Sequence, residues 1–226
     1  MVKYKIKKIF NGLYAIEIPD SYQRAMLFLR SQEYYESKFP EIYRKDFDVF
    51  HFMELYRKWR NSDHFSYPED WSGFNVSSHI IESCIGGIFR SSSEFKPTPY
   101  DYVMSNIITS VREEIEPDSK YYLIGVDKFK GKVMNHEIAH GLYYIDPGYK
   151  QECLKLIENL NKSVYKELSS IISKMGYSKD VIDDEIQAYL STEIYGPMSK
   201  IPKIISIAKK FRKNFKKYKK THGLNT

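Results

Sequence analysis

A chain of 226 residues and 26.8 kDa is one ordinary domain, or one with a small appendage. A chain this long buries about 70% of its unfolded surface, so it folds without disulfides or a partner copy. Hydrophobic residues make up 42% and charged residues 28%, and twenty Tyr with thirteen Phe argue against disorder. No apolar run approaches the roughly 18 residues of a membrane span. The start, Val2 to Lys8, alternates apolar residues with lysines and leads into no signal-peptide core. Cys84 and Cys153 are too few for a disulfide framework. The expectation is a cytoplasmic protein with reduced thiols. The net charge of +6 is unevenly spread. Residues 200–226 hold ten Lys or Arg and no acid, whereas residues 1–199 hold 25 basic against 29 acidic groups.

In chain order, residues 3–9 and 13–18 predict two strands, turned at Asn11-Gly12. From Asp20 the apolar period becomes helical, through Ala25, Met26, Leu29 and Tyr34, until Pro40. A second helix is expected over 41–59, then a loop over 60–73. Residues 75–88 read equally as helix or strand, with Gly86-Gly87 as a break. A loop over 91–99 precedes a helix over 100–115 that Pro117 ends. Residues 120–126 predict a short buried strand, and 130–144 a helix. After a break at Pro147-Gly148, one long amphipathic helix carries Leu154, Ile157, Leu160, Val164, Leu168, Ile171 and Met175 to a Gly176 cap. Ser178 is expected to cap a further helix to about Ser191, ended by Gly196-Pro197. In the basic tail, Ile204, Ala208, Phe211, Phe215 and Tyr218 share one helical face, with lysines opposite. That pattern fits a helix docked on the body, or a contact for nucleic acid, an acidic partner or a membrane surface through residues 200–220.

One motif carries chemistry: His136-Glu137-Ile138-Ala139-His140, an H-E-x-x-H pattern. Residues four apart on a helix lie one turn above each other, so two imidazoles can ligate one zinc ion. The Glu after the first His can then take a proton from water at the metal. Met134, Ile138, Leu142 and Ile145 form an apolar stripe on the other face, expected to pack on the sheet. A catalytic zinc needs a third protein ligand. Glu185, in Asp184-Glu185-Ile186-Gln187-Ala188-Tyr189, is the first candidate, on a helix returning beside the motif with small Ala188 allowing close approach. Asp146, six residues after His140, is the second; proteins that ligate at that offset turn at a glycine where this chain has Tyr143. Asp184 is a third. His51, His64, His79 and His222 are scattered, and Cys84 near His79 reads as a small buried residue rather than a nucleophile. There is no phosphate-binding loop and no dinucleotide fingerprint.

The H-E-x-x-H pair with Glu185-x-x-Ala188-Tyr189 downstream resembles the gluzincin branch of the zincin metallopeptidases, both the thermolysin-like and the small ImmA/IrrE-type members, over residues 120–192. The resemblance implies one zinc held by His136, His140 and Glu185, with Glu137 as general base and then proton donor to the leaving amine. It implies an edge strand at 120–126 that holds a peptide or protein substrate extended, and a tyrosine (Tyr189, Tyr195 or Tyr144) that stabilises the oxyanion. The fold expected is α+β: a small sheet with the N-terminal hairpin and that edge strand, packed on a mainly helical C-terminal half. The parts expected are 1–119, a zinc-binding part 120–198 and the tail 199–226. The function expected is a zinc metallopeptidase; the alternative is a catalytically degenerate zincin-like binding or regulatory module acting through the tail.

Overall fold

The computed structural model describes residues 2–90 and 94–224. The chain forms two compact units, Met1–Phe129 and Lys130–Thr226. The fold is α+β, with a four-stranded mixed sheet and helices making up most of the chain.

The sheet lies in the first unit. Its strands are β1 (Lys5–Phe10), β2 (Leu13–Glu17), β3 (Phe74–Ser77) and β4 (Tyr122–Val126), in the order β1-β2-β4-β3. The Asn11-Gly12 turn forms as expected, with Gly12 at φ 87°, where a side chain would be strained. β1 and β2 are antiparallel, and Lys5 meets Glu17 at 3.0 Å. β4 runs parallel to β2 and antiparallel to β3. The strand expected at an edge is therefore interior, hydrogen-bonded on both sides. Its five residues are all buried, as befits a strand covered on both faces. The edge beside β2 belongs to β1, whose exposed lysines discourage further pairing. Gly125 in β4 lies against the Phe28 ring; a Cβ there would collide with it.

Five helices of the first unit contribute to its buried aromatic core. α1 (Ser21–Glu36) starts at Asp20, whose carboxylate accepts from the Gln23 amide at 2.8 Å. α2 (Val49–Arg60) begins later than the 41 expected, because Asp48 caps it by accepting from the His51 amide. Residues 41–45 form turns instead, with Arg44 at φ 56° and Ile42 buried. The expected loop over 60–73 contains a one-turn helix, α3 (Tyr67–Asp70), started at Pro68. The ambiguous segment 75–88 divides into β3 and α4 (Ser78–Ile88), and Gly86-Gly87 lies inside that helix. A Cβ on Gly87 would stand 2.9 Å from Asp46 Oδ1, so this glycine serves a close approach rather than a break. The loop expected over 91–99 falls partly on Ser91–Ser93, outside the described residues. α5 (Pro99–Glu113) opens with a capping box between Thr98 and Asp101. Asp101 also takes Arg30 in a buried bidentate pair at 2.8 and 3.1 Å. Cys84 and Cys153 are both buried, and burial pushes each thiol up to about 12, so neither is a ready nucleophile.

Glu33, on α1, is 9% exposed. Burial raises its carboxyl to about 7, against hydrogen bonds from Ser37 and Tyr67 that lower it. The folded state thus holds this proton more tightly than the unfolded chain does. Its contribution to stability is complete below pH 4.5 and is lost as pH rises through about 7. Glu33→Gln is expected to unfold in urea like wild type at pH 5. At pH 8 it is expected to be more stable by something on the order of 3 kcal/mol. An equal offset at both pH values would contradict this.

The second unit is helical: α6 (Lys132–Ile145), α7 (Pro147–Glu158), α8 (Lys162–Met175), α9 (Ile182–Thr192) and α10 (Ile204–Thr221), with 3-10 turns at Lys179–Val181 and Gly196–Lys200. α9 is central and packs against α6, α7, α8 and α10. Met134, Ile138 and Leu142 are buried and Ile145 is half-buried. Pro147 does not break the chain but opens α7, and Asp146 both ends α6 and caps α7 through the Tyr149 amide. The single long helix expected next is two, because Asn161 caps α8 by accepting from the Ser163 amide. Gly176 ends α8 at φ 108°, as expected. Ser178 occupies the cap position of the 3-10 turn, but its side chain makes no capping bond. In α10, Ile204, Ala208, Phe211 and Phe215 are buried, and the helix docks on α9 and α7. Thr226 and Asn225, at the end of the tail, lie outside the described residues.

Candidate metal centre

The helical period of α6 places His136 and His140 one turn apart, and their Nε2 atoms stand 3.2 Å from each other. α9 brings Glu185 to them: Oε2 lies 3.7 Å from His136 Nε2, and Oε1 lies 3.5 Å from His140 Nε2. Ala188, one turn on from Asp184 and fully buried, permits the close packing of α9 on α6. Among the described residues, His136, His140 and Glu185 are the group whose ligand atoms converge within 4.8 Å.

These distances suit a zinc ion. Donors on a tetrahedral zinc with bonds of about 2.0–2.1 Å lie about 3.3 Å apart. Glu185 Oε2 is buried and has no hydrogen-bond partner in the protein, which is costly unless a cation completes it. An oxygen stands beside the far nitrogen of each imidazole. Asp184 Oδ1 stands 2.9 Å from His140 Nδ1, and Thr192 Oγ1 stands 3.4 Å from His136 Nδ1. The Thr192 hydroxyl donates to the Ala188 carbonyl at 2.7 Å, so toward His136 it acts as acceptor. Carboxylate or hydroxyl acceptors behind ligating histidines orient the ring and set its tautomer.

A second layer holds Asp184. Gln187 Nε2 donates to Asp184 Oδ1 at 2.8 Å and to the Ala139 carbonyl at 3.3 Å. Gln187 Oε1 accepts from the Tyr149 hydroxyl at 2.8 Å. A buried polar chain thus runs from α7 through α9 to the second histidine on α6. Burial opposes the charged form of His140, but Asp184, Glu185 and Glu137 together raise it well above the usual histidine value.

Each residue expected from sequence has a definite place. Glu137 is 4% exposed, and its charge acts on both His140 and Tyr189. Asp146 is not in the cluster: its Oδ1 caps α7 and its Oδ2 lies 2.8 Å from His222 Nε2. Asp184 supports His140 from the far side rather than joining the converging atoms. Of the three tyrosines, Tyr189 packs edge-on against His136, with ring centroids 4.6 Å apart. Tyr195 is exposed and its ring lies 6.2 Å beyond Tyr189, whereas Tyr144 is half-buried on α6. Met198, which follows Pro197, is a core residue of the second unit. Sequence reasoning missed Thr192 and Gln187. Thr192 follows Glu185 by seven residues and so shares its helical face, a signal that was readable. Gln187 had no such signal, since its role depends on Tyr149 from another helix.

No protein-family model, no curated protein and no solved structure matches the chain.

Proposed function

We propose that this protein is a zinc-dependent metallopeptidase whose metal is held by His136, His140 and Glu185. The observation that carries the reading is the convergence of two Nε2 atoms and one buried carboxylate oxygen that makes no hydrogen bond, with an oxygen of Asp184 or Thr192 beside each Nδ1. The gluzincin-like pattern of Glu137 between the histidines and Glu185 on a later helix supports it. Bound there, zinc supplies Lewis-acid chemistry: it polarises a carbonyl and acidifies water. Glu137 accepts the proton of the attacking water and returns it to the leaving amine nitrogen. Asp184 and Thr192 hold the two imidazoles in the tautomer that presents Nε2. Tyr189 fixes the His136 ring by its edge contact. His136 keeps 12% of its side-chain surface exposed, against 2% for His140, so the open side of the cluster is at His136. β4 takes no part in gripping substrate by strand addition, because β2 and β3 already occupy both of its edges.

The test is metal analysis of the purified protein joined to cleavage of a peptide library read by mass spectrometry. One zinc per chain is expected, with cleavage that a chelator stops and added zinc restores. Failure of the apo protein to take up zinc would overturn the metal assignment. Stoichiometric zinc without cleavage would overturn the peptidase.

A further inference from the structure

We infer that the outer face of α10 is a binding surface for the phosphate backbone of a nucleic-acid duplex, contacted without regard to base sequence. This inference does not depend on the metal centre.

At 100° per residue, Lys209, Lys210, Arg212, Lys213, Lys216, Lys217 and Lys220 fall within an arc of about 160° on one side of α10. The six lysines are exposed and Arg212 is half-buried. No acidic residue occurs after Glu193. Among the described residues, Lys217 is the one member of this face with an acidic partner, Glu152 at 2.6 Å. Arg212 Nε is buried and has no hydrogen-bond partner. A surface that serves solubility alone mixes both signs. Here like charges stand one turn apart along the helix, where they repel unless an anion joins them.

The geometry selects among polyanions. Lys209, Lys213, Lys216 and Lys220 form one straight row, rising about 16 Å from end to end. Along a duplex each strand advances about 3.4 Å per phosphate, so the row spans about five phosphates. A membrane-surface helix needs a free apolar face to bury among lipids. The apolar face of α10 is already spent on α9 and α7, with Phe211 1% and Phe215 5% exposed. Single strands are held by stacking on exposed aromatics. This arc carries none, since Phe211 and Phe215 are buried and Tyr218 lies on the docked side. Lysine acts as a point charge, suited to phosphates rather than to bidentate reading of base edges.

The experiment is fluorescence anisotropy of a labelled duplex DNA with the full chain, titrated across about 50–200 mM salt. A quadruple variant, K209Q/K213Q/K216Q/K220Q, is measured alongside. Glutamine keeps helix propensity, these positions are exposed, and Lys217 is left to Glu152. Wild type is expected to bind with a log–log salt slope near −4, about −0.9 per phosphate neutralised. The variant, which keeps Lys210, Arg212 and Lys217, is expected to bind at least tenfold more weakly with a clearly shallower slope. Unchanged binding by the variant would overturn the inference. So would binding only to phosphatidylserine vesicles, to polyglutamate or to single strands. The wild-type salt titration stands alone: a flat slope, or no duplex binding at the lowest salt, refutes the surface whatever the variant does.

Discussion

Glu137→Gln is expected to retain one zinc per chain and to lose turnover by a factor of about 100 to 10,000 on any peptide the wild type cleaves. Glu137 is not among the converging ligand atoms, so removing its charge leaves the donors in place. Its side chain is 4% exposed and lies within electrostatic reach of His140 and Tyr189. Glutamine preserves shape and burial but cannot accept a proton. Water then has no base beside it, and the leaving nitrogen has no acid. Elemental analysis and initial rates, measured on the same preparation, separate the two roles. A variant with full zinc and full activity would remove Glu137 from the mechanism; one that loses zinc would make it a ligand.

Glu185→Gln is expected to drop zinc from one per chain to near none after dialysis, a loss of affinity well beyond the roughly 10–100-fold typical of residues behind the ligands. The carboxylate is 3% exposed and supplies the one anionic donor of the converging set. Asp184→Asn is expected to fall between, at about tenfold, because it meets the converging donors only through His140 Nδ1 and acts through the ring. Asp146→Asn is expected to keep zinc at wild-type affinity, since Asp146 is spent on the α7 cap and on His222. The graded order of the three variants, read by competition with a zinc-binding dye, checks the assignment. A common loss in all three, with unchanged helix content by circular dichroism, would contradict it. An Asp146 variant that alone loses zinc would restore the competing third ligand.

Local pattern and tertiary structure divide the account of this protein cleanly at several residues. The N-terminal hairpin was legible because Asn11-Gly12 is a turn in any context that lets a glycine take positive φ. The histidine pair was legible because four-residue spacing on a helix is a face, whatever surrounds it. The docked stripe of α10 was legible for the same reason, as was the Gly176 cap. Errors gathered where two local signals compete. Residues 41–47 carry a helical apolar pattern, but Asp48 offers the better cap and Asp46 is held against Gly87, forty-one positions away. Asn161 divides a continuous apolar period because its side chain satisfies the first turn of α8.

The sequence by itself determined which side chains could hold a metal, which face of each helix is apolar, and that the tail is basic and free of acids. Those properties follow from spacing along one element, where bond geometry leaves few choices. Only the tertiary structure brings Glu185 and not Asp146 to the two histidines, sets Asp184 beside His140 Nδ1, and gathers Thr192, Gln187 and Tyr149 behind the histidines. It also turned β4 from an expected edge into an interior strand, by pairing it with β2 more than a hundred residues earlier. The physical reason is common to all of these. Each depends on which element a helix or strand packs against, and that choice is set by burial summed over the whole core rather than by any local run of residues.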